Sequence, residues 1–256
     1  MNIKLKLLTG FDTERLREKL LNQKKYKKLL VTYFEKFPQI IDSNSPDFWD
    51  KKFTDEPANL VFPVSDDRNS IVASLITPHS RVLNVGAGVG HLEHTIHKKV
   101  GKNIDWTGTD FTHKTLNDLK KKFSTYKFIQ TGILPLPFSD NTFDVVCLLE
   151  VLEHIKPLET FAVLSELHRV TKPNGTILIS VPVNEGLEEM APNNPNSHVR
   201  VYSKRLLSFE LQVSRFKIQK IIELTAFNSF YGVKKIINRI LKLRQPNNLI
   251  FILKKK

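Results

Sequence analysis

A short run of alternating glycines is the segment best suited to touch a ligand. Gly86, Gly88 and Gly90 directly follow the apolar segment 81–85. Because glycine lacks a Cβ and tolerates positive φ, the main chain here can turn tightly and lie against a bound molecule. Apolar residues then recur at near-helical intervals, at Leu92, Ile96 and Val100. The run therefore predicts a strand-to-helix junction at the ligand-binding edge of an α/β sheet, the alternative being an ordinary glycine turn.

A carboxylate further along the chain favours a nucleoside ligand. Asp110 ends a predicted second strand, 20 residues after Gly90. A carboxylate there can accept the hydroxyls of a ribose, which dinucleotide and adenosylmethionine sites both need. The dinucleotide fingerprint would require a glycine at His91, so the glycine spacing is a different one. The alternative role for Asp110 is to cap the helix predicted to start near Thr112.

Three side chains after the predicted fourth strand could do acid–base or metal chemistry. Glu150, Glu153 and His154 stand at positions i, i+3 and i+4, so a helix would place all three on one side. Glu153 and His154 are candidate catalytic residues, and the trio is a candidate divalent-metal site. The alternative is structural, because glutamates early in a helix stabilise its dipole and a histidine can simply pack.

His198 is the other candidate catalytic base. It stands with Arg200 and Tyr202 at the end of loop 183–197, which is rich in Asn, Pro and Glu and follows the predicted fifth strand. In an α/β sheet that loop should border the ligand. A lone loop histidine is otherwise uninformative.

The elements around these residues complete an ordered pattern. Strands are predicted near 81–85, 104–109, 127–130, 143–148, 176–182, 216–224 and 249–253. Segment 136–147 forms a turn into the fourth strand, and a Pro/Gly turn at 173–175 precedes the fifth. From about Arg81 to Pro182 the chain resembles a class I S-adenosylmethionine-dependent methyltransferase, with a weaker similarity at 198–203. The resemblance implies a Rossmann-like α/β fold, a seven-stranded mixed sheet in the order 3-2-1-4-5-7-6.

The resemblance also implies a set of cofactor-binding residues. The glycines would lie under the methionine part of S-adenosylmethionine, Asp110 would hold the ribose, and Leu149 would line the active-site edge. The full set is Asn84, Gly86, Ala87, Gly88, Gly90, Asp110, Phe111, Gly132, Ile133 and Leu149. Two positions depart from the family pattern, because Asn84 and Gly132 stand where acidic residues are usual. In the similar quinone-biosynthesis O-methyltransferases, clusters like Glu150, Glu153 and His154 are associated with a divalent metal.

Length and composition bound the architecture. The 256 residues suit one α/β domain at 71–256, preceded at 1–70 by a helical extension that caps the substrate pocket. Within that extension Asp12 is a plausible N-cap, and an apolar stripe runs through Leu16, Leu20, Tyr26, Leu29, Leu30, Tyr33, Phe34 and Phe37. The single cysteine, Cys147, excludes a disulfide within the chain and a cysteine-based zinc cluster. With no long apolar segment and no secretory start, the sequence predicts a cytoplasmic protein.

The net charge of +13 is concentrated at the two ends. Residues 1–37 hold 10 basic and 4 acidic residues, residues 38–198 hold 15 and 20, and residues 199–256 hold 14 and 2. In the basic tail, segment 230–244 alternates apolar and basic side chains at helical spacing. This helix could pack on the core, lie on an anionic membrane, or contact nucleic acid. The absence of interleaved aromatic residues makes nucleic acid the less favoured partner.

Together these features predict methyl transfer from S-adenosylmethionine to a small molecule. The expected acceptor is a hydroxyl oxygen on a quinone-like, lipid-linked or sugar substrate. An RNA or protein methyltransferase is an alternative, although Glu150-Val151-Leu152 occupies the place of the Asn/Asp-Pro-Pro-Tyr/Phe block of amino-group acceptors. A methyltransferase fold kept as a non-catalytic binding scaffold is another. A nicotinamide oxidoreductase is disfavoured, because the Tyr231–Lys235 pair lies in the basic tail.

Overall fold

The computed structural model describes most of the chain after residue 43. The described residues are 44–55, 62–101, 103–156, 159–183, 196–227 and 230–255. The predicted apolar stripe between residues 16 and 37 lies outside them, as does most of loop 183–197.

One seven-stranded sheet forms the centre of the molecule. Its strands are β1 (Arg81–Val85), β2 (Asp105–Asp110), β3 (Lys127–Gln130), β4 (Phe143–Leu149), β5 (Thr171–Pro182), β6 (Phe216–Leu224) and β7 (Asn248–Lys255). They lie in the order β3-β2-β1-β4-β5-β7-β6. The first five are parallel, and β7 pairs antiparallel with both β5 and β6. The predicted fold class and strand order are confirmed.

The fifth strand begins earlier than predicted. β5 starts at Thr171, so the predicted Pro/Gly turn lies within the strand. Its pairing with β4 shifts register between Phe143 and Val145, opposite this turn. Proline cannot donate to a strand ladder and is tolerated at such irregularities. A Cβ on Gly175 would lie 2.8 Å from the Lys172 carbonyl oxygen, so the irregular backbone comes too close for a side chain.

Helices cover both faces of the sheet. They are α1 (Pro46–Asp55), α2 (Pro63–Ser74), α3 (His91–Lys99), α4 (His113–Lys122), α5 (Thr160–Val170), α6 (Lys204–Val213) and α7 (Tyr231–Leu241). Helices α5 and α6 pack on one face, with Leu164 and Leu207 fully buried. Helices α2, α3 and α4 pack on the other, over a layer that includes the buried free cysteine Cys147. The covered faces leave the carboxyl edge of the parallel strands as the place for a site.

Helices α2 and α7 differ in their burial. The predicted domain boundary at residue 70 falls inside α2, which packs on the sheet through Val72 and Ala73. Helix α7 buries none of its residues. Among the described helices, none is long and apolar enough to span a membrane.

Candidate functional site

The glycine loop has the backbone conformation that its sequence predicts. Gly86, Gly88 and Gly90 have φ values of 79°, 50° and 81°, in the left-handed region that favours glycine. A Cβ on Gly86 would lie 2.6 Å from Cγ2 of Val151, and one on Gly90 would lie 2.3 Å from Cδ2 of Leu119. Larger residues would therefore strain the loop and displace its neighbours.

Asp110 holds the glycine loop in place from the end of β2. Its Oδ2 accepts a 2.9 Å hydrogen bond from the backbone N–H of Gly88. Its Oδ1 accepts bonds from the N–H and hydroxyl of Thr112, at 3.0 and 2.8 Å. A carboxylate has about four acceptor sites, so one remains for a ligand. The side chain thus ties two loops together and still faces the cavity described below.

Asn84 is paired with a carboxyl group that the sequence analysis did not single out. Its Nδ2 donates a 2.8 Å hydrogen bond to Oε1 of Glu93 on α3. The same oxygen accepts a 3.2 Å bond from the indole N–H of Trp106. Burial raises the pKa of Glu93 to about 7, although both hydrogen bonds oppose that shift. An acidic group is therefore present, one hydrogen bond behind Asn84.

A single cavity of about 560 Å³ opens at this edge of the sheet. That volume suits a drug-sized ligand. Nine of the ten predicted cofactor residues line it: Asn84, Gly86, Ala87, Gly88, Asp110, Phe111, Gly132, Ile133 and Leu149. Gly90 instead lies behind the loop, against α4. The structure brings the predicted set together, while the role of each residue stays a prediction.

The same cavity is lined by three side chains with catalytic potential, called here the Glu/His cluster: Glu153, His154 and His198. Their donor atoms all lie within 4.8 Å of one another. Oε1 of Glu153 is 3.9 Å from Nε2 of His154. The two imidazole rings meet edge to face, with centroids 4.9 Å apart.

Backbone and side-chain hydrogen bonds hold the cluster together. The N–H of Val199 donates to the Glu153 carbonyl at 2.9 Å, which joins the His198 segment to the chain after β4. Asn44 donates to the Ser197 carbonyl at 2.9 Å. Nδ1 of His154 contacts that carbonyl at 3.1 Å. Because a carbonyl only accepts, Nδ1 carries the proton, and Nε2 of a neutral His154 keeps its lone pair.

Glu150 does not join this cluster, contrary to the predicted arrangement. After β4 the chain adopts a left-handed conformation at Glu150 and then a single 3₁₀ turn, Leu152–His154, so the helical spacing does not apply. The Glu150 carboxylate instead accepts bonds from Ser180 and Asn248 and pairs with Arg68 at 3.1 Å. It links α2, β5 and β7 across the sheet edge. His198 stands with Glu153 and His154 in its place.

Arg200 and Tyr202 do not line the cavity, although they are close to His198 in sequence. Arg200 is buried and pairs with Glu210 of α6 at 2.5 Å. It also donates to Thr160 of α5 at 2.6 Å, and its guanidinium lies over the Tyr202 ring. These contacts fix the segment that carries His198 to two helices of the core.

Sequence reasoning missed the residues that close the cavity from α1 and α2. Trp49 packs edge to face on His154, with centroids 5.0 Å apart, and donates to Asn44 at 3.1 Å. Phe53 and Arg68 also line the cavity. These residues precede the first strand and belong to no recognised motif. The one sequence signal for them was the aromatic pattern Phe48, Trp49, Phe53.

The Glu/His cluster has two chemical capabilities. A neutral imidazole beside a carboxyl group is an arrangement suited to a general base. One carboxylate and two imidazoles are also a donor set for zinc or non-haem iron. Bonds of about 2.0–2.2 Å would place such donors about 3.3 Å apart in a tetrahedral site, so a metal would require them to draw closer.

The comparisons with known proteins agree with this geometry. Residues 82–175 match a family model described as a methyltransferase domain. The chain is 36% identical over 104 residues to a sterol 24-C-methyltransferase of Schizosaccharomyces pombe, covering 39% of this chain and 27% of the relative. It is 31% identical over 106 residues to the demethylmenaquinone methyltransferase of Lysinibacillus sphaericus, covering 40% and 44%. The aligned part thus spans less than half of either relative.

A solved structure extends the likeness of the fold beyond that segment. The N-methyltransferase NodS of Bradyrhizobium japonicum, in complex with S-adenosyl-L-homocysteine, superposes with a TM-score of 0.61 at 13% identity. The superposition covers 83% of this chain and 99% of the neighbour. This likeness shows a shared fold, in agreement with the strand order, and the family match shows that residues 82–175 resemble a methyltransferase domain.

Proposed function

We propose that this chain transfers a methyl group from S-adenosylmethionine to a hydroxyl oxygen of a small molecule. One observation carries the proposal: a single cavity joins the glycine loop and Asp110 to the Glu/His cluster. A cofactor held at the loop and an acceptor held at the cluster would share one cavity. Alignment of two reactants in this way can lower the barrier by about 7–11 kcal/mol in well-oriented systems.

The residues present fit the cofactor. When bound, S-adenosylmethionine supplies an electrophilic methyl group on a sulfonium. The free acceptor site of Asp110 suits a ribose hydroxyl, and the glycine loop leaves room for a ligand against the backbone. Phe111, Ile133 and Leu149 supply apolar wall at the ends of β2, β3 and β4.

His154 is the proposed general base. The Ser197 carbonyl accepts from Nδ1 and orients the ring, and Nε2 is the nitrogen that would take the acceptor proton as the oxygen gains its methyl group. Glu153, with Oε1 3.9 Å from Nε2, is placed to stabilise the imidazolium that forms. His198 packs against His154 and completes the wall on which the acceptor lies.

The acceptor is proposed to be quinone-like or lipid-linked rather than a sugar. Trp49, which packs on His154, lines the cavity together with Phe53, Phe62 and Ile155, so part of its wall is apolar and aromatic. The two curated relatives are named for a sterol and for demethylmenaquinone. One of them is named for methylation at carbon, so a carbon acceptor is the second candidate.

Titration calorimetry with S-adenosylmethionine and with S-adenosylhomocysteine tests the first step. We expect both to bind, whereas failure of both would leave the fold as a non-catalytic scaffold. Mass spectrometry of a small panel of phenolic quinone precursors, RNA and protein then shows which of them gains a methyl group. The position of that group distinguishes methylation at oxygen from methylation at carbon. His154→Ala should lower turnover by about 10²–10⁴-fold while S-adenosylhomocysteine affinity is retained.

A further inference from the structure

Helix α7 turns toward the protein the face that an ordinary amphipathic helix turns toward solvent. Its polar side faces the protein: Tyr231 donates to Asp67 at 2.8 Å, Lys235 also binds Asp67, and Asn238 donates to Thr225 at 3.1 Å. Surface helices usually turn their apolar stripe to the core and their polar side to solvent. Here the hydrogen bonds hold the helix by its polar side, so its apolar stripe faces outward.

The outward face is a continuous apolar surface. Its residues are between 42% and 79% exposed: Phe230, Val233, Ile236, Ile237, Ile240, Leu241 and Leu243. At about 100° per residue, the five within the helix cover an arc of about 140°. Scattered apolar side chains on a surface need no explanation, but a contiguous group of large ones marks an interaction site.

Basic residues border this face on both sides. Lys234 and Arg239 flank the apolar arc within the helix, and Lys242 and Arg244 follow its end. The sequence holds no acidic residue after Glu223. An apolar stripe edged by lysine and arginine is the pattern of a helix that lies in the plane of an anionic membrane surface, with its charged heads at the lipid phosphates.

The helix is joined to a wall of the cavity. Asp67 belongs to α2, and the neighbouring residues Ser65, Arg68 and Asn69 line the cavity. Phe62, just before α2, also lines it and is 60% exposed. A membrane bound by the apolar face of α7 would therefore be separated from α2, which lines the cavity, by the thickness of one helix.

We propose that α7 docks this chain on an anionic lipid surface, from which the acceptor reaches the cavity. The second half of this inference rests on the methyl-transfer function proposed above, whereas the docking itself does not. Tyr231 and Lys235 then serve to orient the helix through Asp67, with the apolar face toward the lipid.

Co-sedimentation with vesicles tests the docking on the full chain. We expect binding to vesicles of phosphatidylcholine with phosphatidylglycerol, weaker binding to phosphatidylcholine alone, and a decline with added salt. Ile236→Ser with Ile240→Ser should lower the partition by about tenfold or more, because both side chains would leave the lipid. Arg239→Gln with Lys242→Gln should weaken mainly the binding to anionic vesicles. Lys120→Gln with Lys121→Gln, an exposed basic pair on α4, is the matched control and should change little.

Three outcomes would overturn the inference. One is no vesicle binding, or binding that survives Ile236→Ser with Ile240→Ser. Another is a dimer in sedimentation velocity that this double variant dissociates while vesicles are not bound, which would make the face a contact between copies of the chain. The third is tight binding to single-stranded RNA that Arg239→Gln with Lys242→Gln abolishes without vesicle binding. Calorimetry with S-adenosylhomocysteine on the same samples is independent of docking, so a failed docking and a failed methyl-transfer proposal give different results.

Discussion

Asn84 of β1 donates a 2.8 Å hydrogen bond to Glu93 of α3, and this pair places a fully buried carboxyl group directly behind the cavity. In the methyltransferase family that this chain resembles, an acidic residue is usual at the position of Asn84. In this chain the amide occupies that position, and the acidic group comes from the helix that follows the glycine loop. The pair joins the two elements that flank the glycine loop, so the ionisation of Glu93 should affect the support of that loop.

The first prediction concerns stability and pH. The pKa of Glu93 is about 7 in the folded chain and near 4.5 when unfolded, so the folded state binds more protons between these values. Its contribution to stability is therefore full below pH 4.5 and is lost as the pH rises through 7. Between pH 5 and 8 the loss is about 2–3 kcal/mol. Urea denaturation should show that Glu93→Gln removes this part of the pH dependence.

The control for this prediction is Glu223→Gln, which changes a half-exposed carboxylate paired with Lys204. It should leave the pH dependence of unfolding close to that of the unchanged chain. Equal pH dependence in the Glu93→Gln variant and the unchanged chain would show that Glu93 ionises normally when folded.

The sheet was predictable because its signals are local. Apolar strands, the glycine spacing and the turn residues each depend on a few neighbouring positions, and β1, β3 and β6 begin and end at the predicted residues. Burial of the strands then follows from the helices on both faces. The separation of Glu150 from His154 was not predictable in this way. Long-range hydrogen bonds from Ser180 and Asn248 hold Glu150 outside a helix.

The orientation of α7 shows a second limit of sequence reasoning. Its apolar period identifies an amphipathic helix but is the same whether the stripe faces the core or the solvent. The direction is set by Asp67, more than 160 residues away in sequence, which binds Tyr231. The contribution of Trp49 to the cavity depends in the same way on contacts with distant residues, here His154.

A second prediction tests the cofactor role of Asp110. Asp110→Asn should raise the dissociation constant of S-adenosylhomocysteine by about 10–100-fold, because a charge-assisted hydrogen bond contributes about 1.5–3 kcal/mol. The amide also brings an N–H group toward the Gly88 N–H or Thr112, which loosens the glycine loop. Titration calorimetry provides the measurement, and the exposed Asp118→Asn is the control. An unchanged dissociation constant in Asp110→Asn would remove Asp110 from the cofactor site.

A third prediction separates the base and metal roles of the Glu/His cluster. Each chain should bind one zinc ion. The bound zinc should inhibit turnover, because it occupies the Nε2 lone pair that His154 needs as a base. His198→Ala should weaken zinc binding, whereas Glu150→Gln should not, since Glu150 lies with Ser180 and Asn248 instead. Calorimetry and an activity assay at increasing zinc give both readouts. Activation by zinc would replace the base role of His154 with that of a metal ligand.

The last prediction concerns the buried pair that fixes the His198 segment. Arg200 is 2% exposed and Glu210 is fully buried, so Arg200→Met would leave a charge in the core and should cost about 3–5 kcal/mol in the free energy of unfolding. Replacing both partners, Arg200→Met with Glu210→Leu, should recover most of that loss, because neither charge then remains buried. Lys204, also on α6, forms an exposed pair with Glu223 of β6, and Lys204→Met should cost only about 0–1 kcal/mol. Urea denaturation of the four chains measures these differences. If Arg200→Met is as stable as the double variant, the core tolerates Glu210 without Arg200, and Arg200 does not anchor the segment electrostatically.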